Sequence, residues 1–364
     1  MNAGVSRALQ VAVALSFLCV IVAFTHGYIY HRLVKAPQWS LRVRRPIQMI
    51  IIALGVLIPL GFIGTRTLPR SLSGLLSYVA FGWLGVLLFL MLAAAAADLF
   101  RIGIWMWSKL GGSRAPDMER RRVLGQAVTA SVTGAAALGS AVAVRRGLAE
   151  VDVKEVEVAL ERLPPSLEGL TVVQLSDVHV GPTIGARFVD QIVEKARALK
   201  PDVVALTGDF VDGDVTTLAE HVAPLARLRG RFGEFFVTGN HEFYSGAPEW
   251  KAHFRRLGFR VLENEFAVIG DAGGRIQIAG IDDHTRTGGS KVGERLGARL
   301  DVDLETVLLA HQPRSIDQAQ AMRAGLQVSG HTHGGQIYPF TELVRLTTPY
   351  VAGLYRHSEQ TQIY

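Results

Sequence analysis

A chain of 364 residues is long enough for two domains or for one large one. Its single cysteine, Cys19, excludes a disulfide framework and a cysteine-ligated metal site. The net charge of +6 divides unevenly, because residues 1–150 hold 16 basic and 4 acidic residues, whereas the remainder holds 22 basic and 28 acidic ones. The basic excess belongs to the hydrophobic first part, so no nucleic acid binding is expected of the mildly acidic second part.

Four long apolar runs come before residue 150, each close to the ~20 residues that a helix needs to cross a bilayer. They are Ala8–Ile29, Pro46–Ile63, Leu75–Ala97 and Val123–Val144. The fourth is rich in small residues, which gain less free energy on leaving water, so it also fits a buried helix. Residues 1–149 are thus predicted to be a transmembrane region of about four helices.

The basic residues between these runs predict how the region is oriented. Five lie in the first connection and six in the third, whereas the second holds only Arg66 and Arg70. Because basic loops stay in the cytoplasm, four spans would place everything after Val144 outside it, in a multi-pass protein of the inner (plasma) membrane. Arg145 and Arg146 argue against that side, and with three spans the second part would be cytoplasmic. We expect four spans and an extracytoplasmic second part.

The second part changes to a pattern of short strands and helices. Residues 150–169 are predicted to be a linker and an edge strand, since Val151–Val158 approaches an alternation of apolar and polar side chains. Residues 170–364 indicate an α/β layered domain. The predicted strands are Thr171–Leu175, Val203–Leu206, Phe235–Val237, Ile276–Ala279, Val307–Leu309 and Leu326–Val328. The predicted helices are Ala186–Leu199, Thr217–Leu228, Ala247–Leu257 and Ile316–Ala324.

Side chains with ligand chemistry directly follow five of these strands. They are Asp177 and His179, then Asp209, then Asn240 and His241, then His311, and finally His331 and His333. Because α/β sheets bind ligands beyond the carboxyl ends of their strands, these side chains are expected to converge. Oxygen and imidazole donors without thiolates suit Mn, Fe or Zn, and their number is enough for two divalent ions. Two such ions, ~3.5–4 Å apart, clamp the attacking and leaving oxygens of a phosphoryl group.

The five motifs, in this order, resemble those of the calcineurin-like metallophosphoesterases. They read Asp177-x-His179, Gly208-Asp209, Gly239-Asn-His241, His311 and Gly330-His-x-His333. With the apolar runs ahead of them, they resemble in particular the membrane-associated bacterial branch of that superfamily. The resemblance covers about residues 168–364 and implies the metallophosphatase fold, a layered β-sandwich flanked by helices. It also implies a membrane-anchored enzyme that hydrolyses phosphomono- or diester bonds by a metal-bridging hydroxide.

The resemblance also implies a role for each residue. The implied ligands are Asp177, His179 and His333 for one ion, Asn240, His311 and His331 for the other, and Asp209 for both. His241 would bind no metal, but would protonate the leaving oxygen or stabilise its developing charge. The substrate would be a phosphoester, and membrane anchoring favours a lipid-linked one, with the pyrophosphate bond of UDP-2,3-diacylglucosamine as one alternative. A non-catalytic membrane protein that binds metal for folding or partner recognition is another, although the retained His241 argues against it.

Other residues near the motifs have no role fixed by the pattern. Asp212, Asp214 and Glu242 are expected to be solvated or to support the ligands from outside. Tyr244 and Trp250 follow the third motif, and the sequence leaves open whether they face substrate or lipid or pack in the core.

Overall fold

The structure is a computed structural model that describes residues 2–111, 118–147, 149–283, 291–336, 340–348 and 350–364. The chain divides into two compact units, Met1–Glu150 and Val151–Tyr364. The first unit consists of long helices that follow the apolar runs of the sequence. In the described residues these are α1 (Asn2–Ile29), which continues as a π-helix over Tyr30–Lys35, α2 (Leu41–Thr67), α3 (Arg70–Gly111) and α4 (Met118–Gly147).

Each of these four described helices contains a stretch that is long and apolar enough to cross a membrane, judged by length and composition. Polar contacts tie them together inside the unit. Trp83 Nε1 donates to His26 Nε2 at 2.9 Å, and Asp98 accepts the Tyr28 hydroxyl at 2.7 Å. Asp98 also pairs with Arg32 at 2.8 Å. These polar side chains of the apolar helices are therefore matched with partners, which lowers the free energy of placing them there.

The second unit is built on two β-sheets. Within the described residues the first sheet has four parallel strands in the order β1-β2-β3-β4, namely Val172–Leu175, Val203–Leu206, Glu234–Phe236 and Arg260–Val261. The second has the order β5-β6-β7-β8-β10-β9, with β5 Glu265–Asp271, β6 Gly274–Gly280, β7 Glu305–Leu309, β8 Leu326–Val328, β9 Tyr355–Arg356 and β10 Gln362–Ile363. In that sheet β5 and β9 pair antiparallel with their neighbours, and all other pairs are parallel.

Helices connect and cover the strands. The described ones are α5 (Ala186–Ala198), α6 (Val215–Val222), α7 (Asn240–Ser245), α8 (Ala247–Arg256), α9 (Val292–Gly297), α10 (Ile316–Ala321) and α11 (Phe340–Thr347). Most follow the carboxyl end of a strand, so the loops that begin them lie at the edge of the sheets where polar residues were predicted to gather.

The alternation of side chains along the strands produces the layers. Val203 and Ala205 of β2 pack in one buried cluster with residues of the second sheet, including Ile278. Val204 and Leu206 point the other way and pack against α5, α6 and α8. The outer face of the second sheet is covered by α9 and α10. Successive residues of a strand face opposite sides, so the two sheets form a sandwich between helices, and the predicted fold class is confirmed.

One predicted strand is wrong. Val151–Val158 forms no strand, and within the described residues its backbone pairs with no neighbour. Two of its valines nevertheless pack on the domain, Val151 against the helical layer and Val158 against the core between the sheets, while Val153 and Val156 are exposed. Lys195 Nζ holds the segment by donating to the Val151 carbonyl at 2.7 Å. The segment is therefore attached at its two ends and not by a hydrogen-bonded ladder.

The second half of one predicted helix is also wrong. The segment Thr217–Leu228 is α-helical only to Val222 and continues as a 3-10 turn over Ala223–Arg227. Pro224 causes the break, because proline has no N–H and its ring clashes with the preceding turn. The remaining predicted strands and helices are confirmed, with ends that shift by a few residues.

Candidate metal centre

The residues singled out in the sequence meet beyond the carboxyl ends of strands from both sheets. The order is Asp177 and His179 after β1, Asp209 after β2, Asn240 and His241 at the start of α7 after β3, His311 after β7, and His331 and His333 after β8. The apolar strands fix the backbone, and the loop just past each strand carries the polar side chain. One crevice therefore collects ligands from two sheets.

The first group of ligands joins Asp177, His179 and His333, whose ligand atoms lie within 4.8 Å of one another. His179 Nε2 is 3.1 Å from His333 Nε2, which is 3.3 Å from an oxygen of Asp177. Burial raises the pKa of Asp177, but the hydrogen bond with His333 and the charge of His311 outweigh it and hold the pKa at about 2. Asp177 is therefore an ionised carboxylate and a negative ligand for a cation.

The second group joins Asp209, His311 and His331 within the same distance. His311 Nε2 lies 3.1 Å from Asp209 Oδ2 and 3.2 Å from His331 Nδ1. The other ring nitrogen of His311 is 2.8 Å from the Thr207 carbonyl and must donate to it, so Nε2 is left for a cation. Burial lowers the pKa of His311, but the hydrogen bond and charge of Asp209 raise it to about 9. A proton between His311 and Asp209 is thus the alternative to a metal ion at this place.

Asp209 lies between the two groups. Its Oδ2 is 3.1 Å from His311 Nε2 in the second group and 4.0 Å from His179 Nε2 in the first. Beside it, the His241 N–H donates to Asp209 Oδ1 at 2.9 Å. The side chain of Asn240 is buried, and its oxygen has no hydrogen-bond partner in the described part of the chain. A buried amide oxygen without a partner is unfavourable, and a bound cation is a partner that would satisfy it. The donor set therefore fits divalent metal.

The backbone at these ligands is unusual. Five of the seven predicted ligands have positive φ angles, namely Asp177 (55°), His179 (51°), Asp209 (55°), His331 (73°) and His333 (49°). Left-handed backbone costs a residue with a side chain about 1–2 kcal/mol, because Cβ approaches the following carbonyl oxygen. Such strain clusters at functional sites, where the surrounding structure holds it in place.

Glycines let the ligand loops touch one another. A Cβ on Gly208, where φ is +90°, would lie 2.5 Å from the backbone nitrogen of Gly239. A Cβ on Gly330 would overlap the side chains of Ser176 and Asp177. The loops after β2 and β3 are therefore packed backbone against backbone, and the loop after β8 places its backbone against side chains of the loop after β1.

Asp212 holds two of the histidines by their outer ring nitrogens. One of its oxygens accepts His241 Nδ1 at 2.5 Å and His179 Nδ1 at 3.1 Å. Each ring then carries its proton on Nδ1 and directs Nε2 towards Asp209, at 3.9 and 4.0 Å. His179, Asp212 and His241 also lie close enough to group around an ion, but the two N–H donors already occupy the shared oxygen of Asp212. We regard Asp212 as a hydrogen-bond acceptor that orients both rings.

His241 is suited to hold a proton. The hydrogen bond with Asp212 raises the pKa of His241, with burial acting against it. Its ring lies edge-on to that of His179 at 4.5 Å and is 5.5 Å from the ring of Tyr244. The sequence interpretation gave Asp212 no specific role. The signal that could have found it is a second aspartate three residues after Asp209 in the same loop.

Glu242 connects the loop after β2 to the loop after β3 through buried hydrogen bonds. Its side chain is completely buried, and its carboxylate accepts the N–H groups of Asp209, Phe210 and Gly239 at 2.9, 2.8 and 2.7 Å. Burial and the charge of Asp209 raise the pKa of Glu242, against the effect of these bonds. Glu242 thereby fixes the Asp209 loop to the start of α7.

Comparison with known proteins places this crevice in a family. Residues 170–335 match the model of the calcineurin-like phosphoesterases. The chain is 36% identical over 308 residues to a bovine (Bos taurus) transmembrane protein with metallophosphoesterase domain, over 80% of this chain and 68% of that protein. The chain belongs to the calcineurin-like metallophosphoesterase family. The predicted family is thereby confirmed.

Two bacterial relatives extend the match. An uncharacterized metallophosphoesterase of Bacillus subtilis is 31% identical over 258 residues, which cover 68% of this chain and 89% of that one. Another, of Helicobacter pylori, is 36% identical over 222 residues, which cover 60% of this chain and 58% of that one. As a metallophosphoesterase, the protein is a metal-dependent hydrolase of phosphoester bonds. Its apolar helices and the naming of the bovine relative support association with a membrane.

Proposed function

We propose that the second unit hydrolyses a phosphomono- or diester with two divalent ions, each Mn, Fe or Zn. Asp177, His179 and His333 would hold one ion, and Asn240, His311 and His331 the other. The observation that carries this proposal is the position of the Asp209 carboxylate between the two groups of ligands. A carboxylate has two oxygens and can serve two cations, whereas an imidazole offers one nitrogen to one cation.

The residues around the ions have separate tasks in this proposal. When bound, the ions supply positive charge to the phosphoryl oxygens and make water acidic enough to act as a nucleophile near neutral pH. His241 Nε2 gives its proton to the leaving oxygen or stabilises the charge that develops there. Asp212 keeps that nitrogen directed inwards through its bond to Nδ1. Glu242 fixes the position of Asp209 relative to the start of α7 by accepting hydrogen bonds from both loops.

The substrate is proposed to be a phosphoester of membrane origin. The catalytic unit is part of one chain with helices that are apolar enough to cross a membrane, and this connection keeps it near phospholipids. A lipid-linked pyrophosphate such as that of UDP-2,3-diacylglucosamine is one member of this class.

Activity of the full chain in detergent tests the proposed function. We expect hydrolysis of p-nitrophenyl phosphate or bis(p-nitrophenyl) phosphate that is lost with a chelator and restored by Mn²⁺. Asp209→Asn and His241→Ala should each lower the rate by at least about 10², whereas Asp303→Asn, an exposed aspartate ahead of β7, should not change it. Equal inactivity of the wild type and of both site variants, with metal measured in the protein, would favour a non-catalytic metal-binding role.

The orientation is a separate proposal. We infer a multi-pass protein of the inner membrane with the catalytic unit outside the cytoplasm, because basic residues concentrate in the first and third connections. Arg145 and Arg146, next to the end of the fourth apolar run, oppose this orientation. Added protease should cleave the second unit in spheroplasts, whose inner membrane is intact and whose outer membrane has been opened. Protection in spheroplasts, with cleavage after lysis, would place the unit in the cytoplasm.

A further inference from the structure

An exposed apolar helix is built onto the loop that carries two of the metal ligands. This helix is α11 (Phe340–Thr347), and the ligand loop contacts both its first turn and the segment that follows its end. At its start, a Cβ on Gly335 would lie 2.5 Å from Thr341 Cα, so the two backbones are in contact. Beyond its end, the Thr332 hydroxyl donates to the Val351 carbonyl at 2.5 Å. The helix therefore lies at the rim of the crevice in a fixed position.

The outer face of α11 is apolar. Leu343 and Leu346, three residues apart on one side of the helix, are 55% and 82% exposed. Leu346 is the most exposed large apolar side chain among the described residues. The nearby charges, Glu342 and Arg345, pair with each other at 2.7 Å. The face thus presents hydrocarbon without net charge, which favours an uncharged apolar occupant over an acidic or basic one.

A row of side-chain rings starts at the loop that carries α11. The rings of His333, His179 and His241 form a row, with centroids 5.0 and 4.5 Å apart, and Tyr244 continues it at 5.5 Å. Tyr244 is 69% exposed, so its ring projects into solvent beside the proposed proton donor. The row of imidazoles is flanked by the tyrosine at one end and by the loop that carries α11 at the other.

We propose that the substrate is an amphiphilic phosphoester whose hydrocarbon chain lies along Leu343 and Leu346 while its phosphate sits at the row of histidines. This inference rests on the proposed phosphoesterase function. The element attached to the His333 loop is α11, and its most exposed large apolar side chains are the two leucines, so a hydrocarbon chain that leaves the phosphate on this side would meet them. Because the same chain carries its own membrane helices, the phosphoesters with long hydrocarbon chains around it are lipids.

The test compares short and long alkyl esters with the full chain in detergent. Two pairs cover both ester classes, methyl and octyl phosphate, and methyl and octyl p-nitrophenyl phosphate. We expect the ratio of kcat/KM for octyl to that for methyl to fall about tenfold in the double variant Leu343→Ser, Leu346→Ser. A tenfold loss corresponds to roughly 55 Å² of apolar surface no longer removed from water. Uptake of the octyl ester into micelles is the same for all variants and cancels in this comparison.

Two controls accompany the double variant. Val302→Ser changes an exposed apolar residue ahead of β7, at the amino end of the strand and so away from the crevice, and should leave the ratio unchanged. Leu343→Met with Leu346→Met keeps the face apolar and should retain most of the wild-type ratio. A ratio restored by methionine distinguishes apolar contact from damage to the loop.

The outcomes separate this inference from the proposed function. Hydrolysis of neither pair would overturn both. Hydrolysis of the methyl ester with the same octyl-to-methyl ratio in the wild type and the serine variant would overturn only the lipid inference. If the serine variant changes the oligomeric state in light scattering while the ratio stays constant, the leucines form a contact between copies of the chain, and the inference is also wrong.

Discussion

Replacement of Asp212 by asparagine isolates the residue that orients two histidines at once. The carboxylate oxygen accepts both His241 Nδ1 and His179 Nδ1. An asparagine oxygen can still accept, but without the negative charge these bonds are about half as strong. General acid catalysis contributes about 10²–10⁴ to a rate, so a poorly held His241 should lower kcat by about 10², or ~2.7 kcal/mol. Because His179 also loses its support, the affinity for the ion that it binds should fall by about 10–100-fold.

A pH profile distinguishes this effect from general damage. Asp212 raises the pKa of His241, and the protonated ring is the form that donates, so the rate falls as pH rises through that pKa. In Asp212→Asn the pKa is lower, and the alkaline limb of kcat, measured at saturating Mn²⁺, should therefore move to lower pH. Asp214→Asn is the matched control, because Asp214 caps α6 through Thr217 N, and asparagine caps a helix equally well. An unchanged alkaline limb, or full recovery of kcat by excess metal, would refute the role of Asp212 in holding His241.

Three further changes test the metal centre itself. Since the pKa of His311 is about 9, metal binding at pH 7 should release about one proton, and the metal affinity should increase as pH rises towards 9. Calorimetry in buffers of different ionisation enthalpy measures the number of protons released. Binding without proton release would contradict this expectation. Asn240→Ala should reduce the bound metal by one ion per chain in elemental analysis, and an unchanged content would exclude Asn240 as a ligand. Gly239→Ala places a Cβ against Asp209, 2.6 Å from its backbone nitrogen. The variant should unfold at a lower temperature, by the equivalent of about 1–3 kcal/mol, and should also lose metal. An unaltered melting curve would show that the loop adapts.

The residues proposed as ligands could be selected from the sequence because each follows a short apolar strand. The strands of a parallel sheet end at one edge, so residues as distant as Asp177 and His333 could be assigned to one crevice without any measured contact. Asp212 could not be assigned in this way. Its partners His179 and His241 come from loops 33 and 29 residues away, and a single aspartate in a turn has no periodic signal.

Other features depend on tertiary packing that local sequence does not reveal. The alternation of Val151–Val158 is real, but its backbone pairs with no strand among the described residues, and Val151 and Val158 attach it to the domain by side-chain packing. The exposure of Leu346 could not be predicted either, since an apolar residue on a short helix is buried in most proteins. In both cases the outcome depends on whether a second element packs or pairs with the segment, and the sequence pattern of the segment alone does not contain that information.

The left-handed backbone of five predicted ligands sets stability against function at this crevice. At about 1 kcal/mol or more per residue, the five positions together cost an amount comparable to a large share of the 5–15 kcal/mol that holds a typical domain folded. Glycine would relieve most of that strain at any one of them, and would remove a ligand. A search for heat-resistant variants of this protein, made without an activity screen, should therefore enrich glycine at Asp177, His179, Asp209, His331 and His333. Because a bound ion stabilises the folded state, this enrichment is expected only when the search is made with a chelator that keeps the protein free of metal.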